Sequence, residues 1–224
     1  MDLYDWTPRA IVFDCDGLLM DTEPCWSLAE AELFARRGLT FGAAEKALVI
    51  GRSLAAATGT LAELFGEPGN AAGIADELMA LVTEVVSAKA EAMPGAHELV
   101  ELAAARVPVA VASNSPRALM DAALARGGLA DAFPVSLAAD EVARPKPAPD
   151  LYRTACERLA VQPGTALAFE DSMTGLASAR AAGLPVVGVP TLPTGDFPAD
   201  VVVSSLRDER LLTWLGGWPL RTPR

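Results

Sequence analysis

Histidine is almost absent from this chain, since His97 is the only one among 224 residues. A transition-metal site built from several imidazoles is therefore excluded. Cysteine is also scarce, and the three residues Cys15, Cys25 and Cys156 are odd in number and widely spaced. This pattern fits neither a disulfide framework nor a zinc site. We therefore expect free thiols and a cytoplasmic, reducing location.

Basic residues are outnumbered, with 18 Lys and Arg against 29 Asp and Glu and a formal net charge of -11. Without basic clusters the chain is a poor candidate for binding nucleic acid, because phosphate contacts need Lys and Arg. The sequence also lacks an apolar run of the roughly 18 residues that a bilayer span requires. Residues 1–10 have neither the basic start nor the apolar segment of a signal peptide. We therefore expect no nucleic-acid partner and no membrane association. We also expect a monomer.

Strands with alternating polar and apolar residues are missing, and the strand-like segments are continuous apolar runs. They lie at 10–14, 107–113, 133–137, 166–170 and 185–189, with a weaker one at 200–204. Such runs are typical of a parallel sheet that is covered on both faces. Helical patterns separate the later runs, and one of them is predicted to begin with Ser115 as N-cap and Pro116 at the first helical position. The alternation predicts an α/β fold with a doubly wound parallel sheet.

The interval between the first and second runs contains helical patterns and no convincing strand. A simple crossover needs only about a dozen residues, so most of this interval is extra. We predict an inserted, all-helical cap domain at 24–92 and an α/β core formed by 1–23 and 93–224. Because the insertion follows the first strand, the cap would lie above the strand ends, as a lid would.

Polar side chains stand at or just after the ends of the predicted strands, where ligands bind in open parallel sheets. In chain order they are Asp14, Asp16, Ser113, Asn114, Lys146, Glu170 and Asp171. Each short segment alone has an ordinary explanation, such as an Asp-Gly turn or a helix cap. Their occurrence on consecutive strand ends points instead to a site for a phosphate, a metal or both.

The four carboxylates of this set, on Asp14, Asp16, Glu170 and Asp171, would repel one another if they converged. Two like charges about 4 Å apart repel by about 4 kcal/mol at an effective dielectric constant of about 20. A divalent cation offsets this repulsion. Ligands that are all oxygen favour a hard ion, and a shell left open for water and phosphate favours Mg²⁺ over Ca²⁺. We therefore predict a Mg²⁺ site at these residues.

Four segments in order resemble the motifs of the haloacid dehalogenase superfamily of phosphohydrolases. They are "DCDGLLMDTE" (14–23), "VASNS" (111–115), "RPKPAPD" (144–150) and "FEDSMTG" (169–175). The resemblance is to the branch with a small helical cap, which includes phosphoglycolate phosphatases and β-phosphoglucomutase. It implies a Mg²⁺-dependent phosphatase that hydrolyses a small phosphorylated metabolite, of the sugar phosphate or phosphoglycolate type.

The resemblance also implies a role for each motif residue. Asp14 would be the nucleophile that becomes an aspartyl-phosphate. Asp16 would act as general acid and then as general base, and its backbone carbonyl would bind Mg²⁺. Ser113 and the Asn114 amide would hold phosphoryl oxygens, and Lys146 would neutralise the phosphate and orient Asp14. Asp171, together with Glu170, would complete the metal shell.

Substrate recognition is expected in the cap, where a loop of relatives enters the active site. The matching segment is Gly51-Arg52-Ser53, and Arg52 would contact a second polar or anionic group of the substrate. Trp26 either packs a sugar or, by the simpler reading, packs between cap helices.

Three alternative activities are disfavoured. A sugar phosphomutase of the β-phosphoglucomutase type is disfavoured, because that relative has a histidine where this chain has Trp26. A phosphate-accepting receiver module of signalling proteins would be shorter and would lack the insertion and Asp16. Dehalogenase chemistry needs no metal, so the pair Glu170–Asp171 disfavours it.

Overall fold

The computed structural model describes residues 3–50, 52–191 and 196–221. The strands are β1 (Ala10–Phe13), β2 (Met20–Asp21), β3 (Glu91–Ala92), β4 (Val109–Ala112), β5 (Val135–Leu137), β6 (Ala166–Glu170), β7 (Val186–Gly188) and β8 (Val201–Val202). The helices are α1 (Glu23–Ala35), α2 (Ala43–Val49), α3 (Leu54–Leu64), α4 (Ala71–Lys89), α5 (Ala96–Ala104), α6 (Arg117–Arg126), α7 (Asp150–Arg158), α8 (Met173–Ala182) and α9 (Glu209–Gly216). Short 3₁₀ helices lie at Leu3–Asp5, Ala130–Ala132, Ala139–Glu141 and Pro163–Thr165.

A six-stranded sheet with the order β5-β4-β1-β6-β7-β8 forms the centre of the α/β unit. All of its neighbouring strands pair in parallel, which confirms the predicted doubly wound fold. The strand order reverses at β1, whose two neighbours are β4 and β6. Such a reversal opens a crevice at the carboxyl ends of the strands. The predicted polar residues lie at or just after the ends of these three strands, except Lys146, which comes after β5.

The central strand β1 is buried along its whole length, and successive side chains point to opposite faces of the sheet. On one face Val12 belongs to a cluster with Leu151 and Tyr152 of α7. On the other face the ring of Phe13 stacks on Phe169 of β6, with the ring centroids 5.1 Å apart. Burying a side chain of this size contributes about 1.5–3 kcal/mol. Both faces of β1 are therefore covered, as continuous apolar runs require.

A short two-stranded antiparallel sheet, which the sequence did not predict, pairs Met20 of β2 with Ala92 of β3. Two residues per strand are too few to produce a recognisable pattern. The chain divides into two compact units, Met1–Asp21 with Glu91–Arg224 and Thr22–Ala90. The sequence placed the boundaries at 23–24 and 92–93. The β2–β3 pairing accounts for the second difference, because Glu91 and Ala92 belong to the first unit. The first boundary differs because Thr22, the N-cap of α1, and Glu23, its first residue, belong to the second unit.

The second unit, Thr22–Ala90, contains α1 to α4, with α4 packed against α1 and α3. The ring of Phe34 contacts those of Phe41 and Phe65, with centroid distances of 5.1 and 4.9 Å. Lys46 of α2 pairs with Glu30 of α1 at 2.9 Å, so that α2 is also tied to α1. Among the residues that the structure describes, no helix is both long and apolar enough to cross a membrane.

One predicted helix start is wrong. Helix α6 begins at Arg117 with Pro116 as its N-cap, and the Ser115 side chain does not cap it. The Ser115 hydroxyl instead donates to Asp16 at 2.9 Å. Ser115 thus joins the second motif to Asp16 of the first motif. A capping pattern is local in sequence and cannot predict a contact between distant segments.

Candidate active site

Asp14 lies directly after β1, and its backbone N–H donates to the Phe169 carbonyl of β6 at 3.0 Å. A tight turn follows, in which the Gly17 N–H donates to the Met20 carbonyl at 2.8 Å. Gly17 has a φ of 84°, which glycine adopts without a steric penalty. A Cβ at this position would lie 2.3 Å from Asp171 Oδ2. The turn therefore needs glycine for its backbone and for the close approach of Asp171.

The Lys146 ammonium lies between two carboxylates. It contacts Asp14 Oδ1 and donates to Glu170 Oε1 at 2.7 Å, with only 3% of its side chain exposed. Burial alone would lower the pKa of Lys146, but the charges of Asp14 and Glu170 raise it, so the group stays protonated. An ammonium has three donors. The hydrogen bonds to described residues use two of them, which leaves one for a substrate oxygen.

Asp14, Glu170 and Asp171 each present a carboxylate oxygen within 4.8 Å of the others. Burial raises the pKa of Asp14 well above its usual range, although the Lys146 charge opposes this. Burial and the nearby Glu170 raise the pKa of Asp171 to about 6. Ionising Asp14 and Asp171 thus costs free energy that a cation would offset. Buried, converging oxygen donors fit a hard divalent ion such as Mg²⁺.

The Asp16 side chain is held by the second motif and lies outside this carboxylate group of the described residues. Ser113 and Ser115 both donate to its Oδ2, at 2.8 and 2.9 Å. The Ser113 hydroxyl in turn accepts the Ser115 N–H at 2.8 Å. A hydroxyl has one proton to donate, so Ser113 must leave Asp16 before it can donate to a phosphoryl oxygen. Metal binding through the Asp16 carbonyl stays a prediction.

The Asn114 side chain binds the backbone of Lys146. Its amide nitrogen donates to the Lys146 carbonyl at 3.1 Å, and its oxygen accepts the Lys146 N–H at 2.8 Å. Both ends of the carboxamide are thereby used to join the loop after β4 to the loop that carries Lys146. A contact from Asn114 to a phosphate would therefore come from its backbone N–H.

Two residues that contact the charged groups were not predicted from the sequence. The Tyr152 hydroxyl donates to Glu170 Oε1 at 2.5 Å, and Thr191 Oγ1 donates to Asp171 Oδ2 at 2.8 Å. Tyr152 lies on the buried side of α7, and a buried tyrosine hydroxyl usually has a partner. That rule indicates a partner but does not say which. Thr191 carries no local signal.

The predicted recognition residues lie in the second unit. Arg52 is exposed and donates from Nη1 to Thr60 Oγ1 at 3.1 Å. Ser53 is the N-cap of α3, where its hydroxyl accepts the Ala56 N–H at 3.3 Å. Gly51 lies outside the described residues, and Trp26 is half-buried on α1.

Comparison with known proteins identifies the family. Residues 8–183 match the haloacid dehalogenase-like hydrolases. The chain belongs to this family. Protein CbbY of Rhodobacter capsulatus is 38% identical over 207 residues, which cover 85% of this chain and 90% of that protein. The validoxylamine A 7'-phosphate phosphatase of Streptomyces hygroscopicus subsp. limoneus is 32% identical over 209 residues, 90% of this chain and 96% of the relative.

One relative is much longer than this chain. The bifunctional riboflavin kinase/FMN phosphatase of Arabidopsis thaliana is 32% identical over 209 residues, and the match covers 91% of this chain but 55% of that protein. Among solved structures, a variant of CbbY from Rhodobacter sphaeroides in complex with xylulose-1,5-bisphosphate has a TM-score of 0.76 and 28% identity. That match covers 90% of this chain and 96% of the other. As a member of this family with phosphatase relatives, the chain is a phosphoric monoester hydrolase.

Proposed function

We propose that this haloacid dehalogenase-like hydrolase removes the phosphate from a small sugar phosphate and forms an aspartyl-phosphate on Asp14. The observation that carries the proposal is the buried Lys146 ammonium, which contacts Asp14 and leaves one donor for a phosphoryl oxygen. A carboxylate oriented by an ammonium is suited to attack phosphorus. The same positive charge stabilises the oxygens that become more negative in the transition state.

In the first step an Asp14 oxygen attacks phosphorus, and the bond between phosphorus and the ester oxygen breaks. Asp16 donates a proton to the departing oxygen. Its Oδ2 accepts from Ser113 and Ser115 in this structure, and these two hydrogen bonds hold the side chain in place. In the second step Asp16 takes a proton from water, the water oxygen attacks phosphorus, and Asp14 leaves as a free carboxylate. Inorganic phosphate is the product.

Mg²⁺ would be held by Asp14, Asp171 and Glu170, with the Asp16 carbonyl as a further predicted ligand. When bound, it would neutralise phosphoryl charge and the repulsion among the carboxylates. The support is the grouping of three carboxylate oxygens within 4.8 Å, together with the raised pKa of Asp14 and of Asp171. In this arrangement Thr191 would hold Asp171 toward the ion through its hydrogen bond.

A sugar phosphate is the proposed substrate class because relatives named for such substrates match most of the chain. They include a fructose-1-phosphate phosphatase and a hexitol phosphatase of Escherichia coli. In our proposal the helical unit acts as a cap, and its Arg52 binds a polar or anionic group of the substrate other than the phosphate that is removed. A screen of phosphorylated sugars with and without Mg²⁺ would identify the substrate. Analysis of the products would separate hydrolysis, which releases inorganic phosphate, from a mutase that returns an isomer.

The direct test is Asp14→Asn, which replaces the nucleophile by a nearly isosteric amide. We expect loss of Mg²⁺-dependent hydrolysis of p-nitrophenyl phosphate, with the circular dichroism spectrum of the wild type. Asp131→Asn is the matched control, because Asp131 is exposed on a 3₁₀ helix, and it should retain full activity. Wild-type turnover by Asp14→Asn would refute Asp14 as the nucleophile.

A further inference from the structure

Tyr152 is fully buried in the core between the sheet and α7, yet its hydroxyl reaches the charged centre. The hydroxyl donates at 2.5 Å to Glu170 Oε1, the same oxygen that accepts from Lys146 at 2.7 Å. The Lys146 ammonium also lies 5.1 Å from the centre of the Tyr152 ring. The ring of Tyr152 therefore lies beside the Lys146 ammonium, and its hydroxyl binds Glu170, which also binds that ammonium.

We propose that Tyr152 is a positioning residue, whose hydroxyl anchors Glu170 so that Lys146 stays on Asp14 with its third donor directed to the substrate. The inference rests on the proposed function, and it adds a residue that the proposed reaction steps do not include. Among the described residues the Tyr152 hydroxyl donates to Glu170 and not to Asp14, so its hydrogen bond would act on the nucleophile through Glu170 and Lys146.

The physical reason is that Glu170 and Asp14 compete for the Lys146 ammonium. Glu170 is fully buried, and among described donors its Oε2 has only the Ser172 hydroxyl, at a long 3.4 Å. A buried carboxylate that loses a donor is costly, because hydrogen bonds to charged groups are stronger than those between neutral groups. Without the tyrosine hydroxyl, Glu170 would draw Lys146 away from Asp14. The misplaced ammonium would then orient the nucleophile and the phosphate less well.

The test is Tyr152→Phe, which removes the hydroxyl and keeps the ring against Lys146 and the core. We expect kcat for p-nitrophenyl phosphate to fall by about 10- to 100-fold, the range observed when groups that orient ligands are removed, while KM changes less. Tungstate, a phosphate mimic, should bind at least severalfold more weakly by calorimetry in the presence of Mg²⁺. Tyr4→Phe is the matched control, because Tyr4 packs against Trp214 with ring centroids 5.2 Å apart.

A double-mutant cycle with Glu170→Gln provides a readout that a merely structural role would not move. If Tyr152 acts through Glu170, adding Tyr152→Phe to Glu170→Gln should lower kcat much less than it does in the wild type. Additive effects, or wild-type kcat and tungstate affinity in Tyr152→Phe, would overturn the inference while leaving the proposed function intact. A wild-type enzyme that hydrolyses no phosphate ester would overturn the proposed function and this inference with it.

Discussion

The buried carboxylate of Glu170 binds several neighbouring groups. Lys146 and Tyr152 share its Oε1, and the same side chain belongs to the carboxylate group that could hold a metal. The sequence predicted Glu170 and Asp171 at the end of a strand, and the structure has them there, because residue type and position along the chain were enough. It could not predict that Asn114 binds the Lys146 backbone or that Ser115 binds Asp16, because such contacts depend on side-chain directions across different loops.

The raised pKa of Asp171 leads to a prediction about metal binding. Burial, with the Glu170 charge, raises it from 3.8 to about 6. The metal-free protein therefore loses stability as the pH rises through this interval, because the folded state favours the protonated form. Mg²⁺ requires the carboxylate, so its apparent affinity should rise with pH through about 6 and should fall toward about tenfold per unit below it.

Calorimetric titration with Mg²⁺ between pH 5 and pH 7.5 measures this dependence. Asp171→Asn should remove most of the affinity and its pH dependence, whereas Asp131→Asn should bind like the wild type. A Mg²⁺ affinity that stays constant over this pH range in the wild type would contradict the assignment of Asp171 as a ligand.

The first turn of helix α8 packs against the carboxylate of Glu170, and this contact restricts which residues can stand there. Ser172 is its N-cap, and its hydroxyl accepts the Gly175 N–H at 3.1 Å. This cap was visible in the sequence as a serine before a helical pattern. The reason for glycine three residues later was not visible, because it lies in the packing. A Cβ on Gly175 would come within 1.9 Å of the Glu170 carboxylate.

Gly175→Ala should therefore displace Glu170 and lower kcat strongly, and overpacking of this kind destabilises by about 1–3 kcal/mol. Gly59→Ala is the matched control, since Gly59 lies inside α3 and a Cβ added there would meet open space. In a helix interior the control should gain about 0.5–1 kcal/mol. Urea unfolding and p-nitrophenyl phosphate kinetics check both variants, and equal behaviour of the two would disprove the packing explanation.

At the scale of the whole molecule, the parallel sheet and the meeting of its motif residues followed from the sequence. Continuous apolar runs indicated a buried parallel sheet, and parallel strands bring their carboxyl ends to one edge. The β2–β3 pairing did not follow, because two-residue strands leave no pattern. The identity of the substrate could not be predicted either, since Arg52 is an exposed arginine and its neighbours in sequence do not specify a ligand.

The central claim is that Asp14 carries the phosphoryl group, and the most direct measurement is to trap that adduct. Asp16→Asn should slow the second step because the variant lacks the base that activates water. p-Nitrophenolate is a good leaving group that needs little help from an acid, so the first step should proceed. Acid quenching followed by peptide mass spectrometry should then find one phosphoryl group, on Asp14. A variant that releases p-nitrophenol with no phosphoryl group on Asp14 at any quench time would contradict the account.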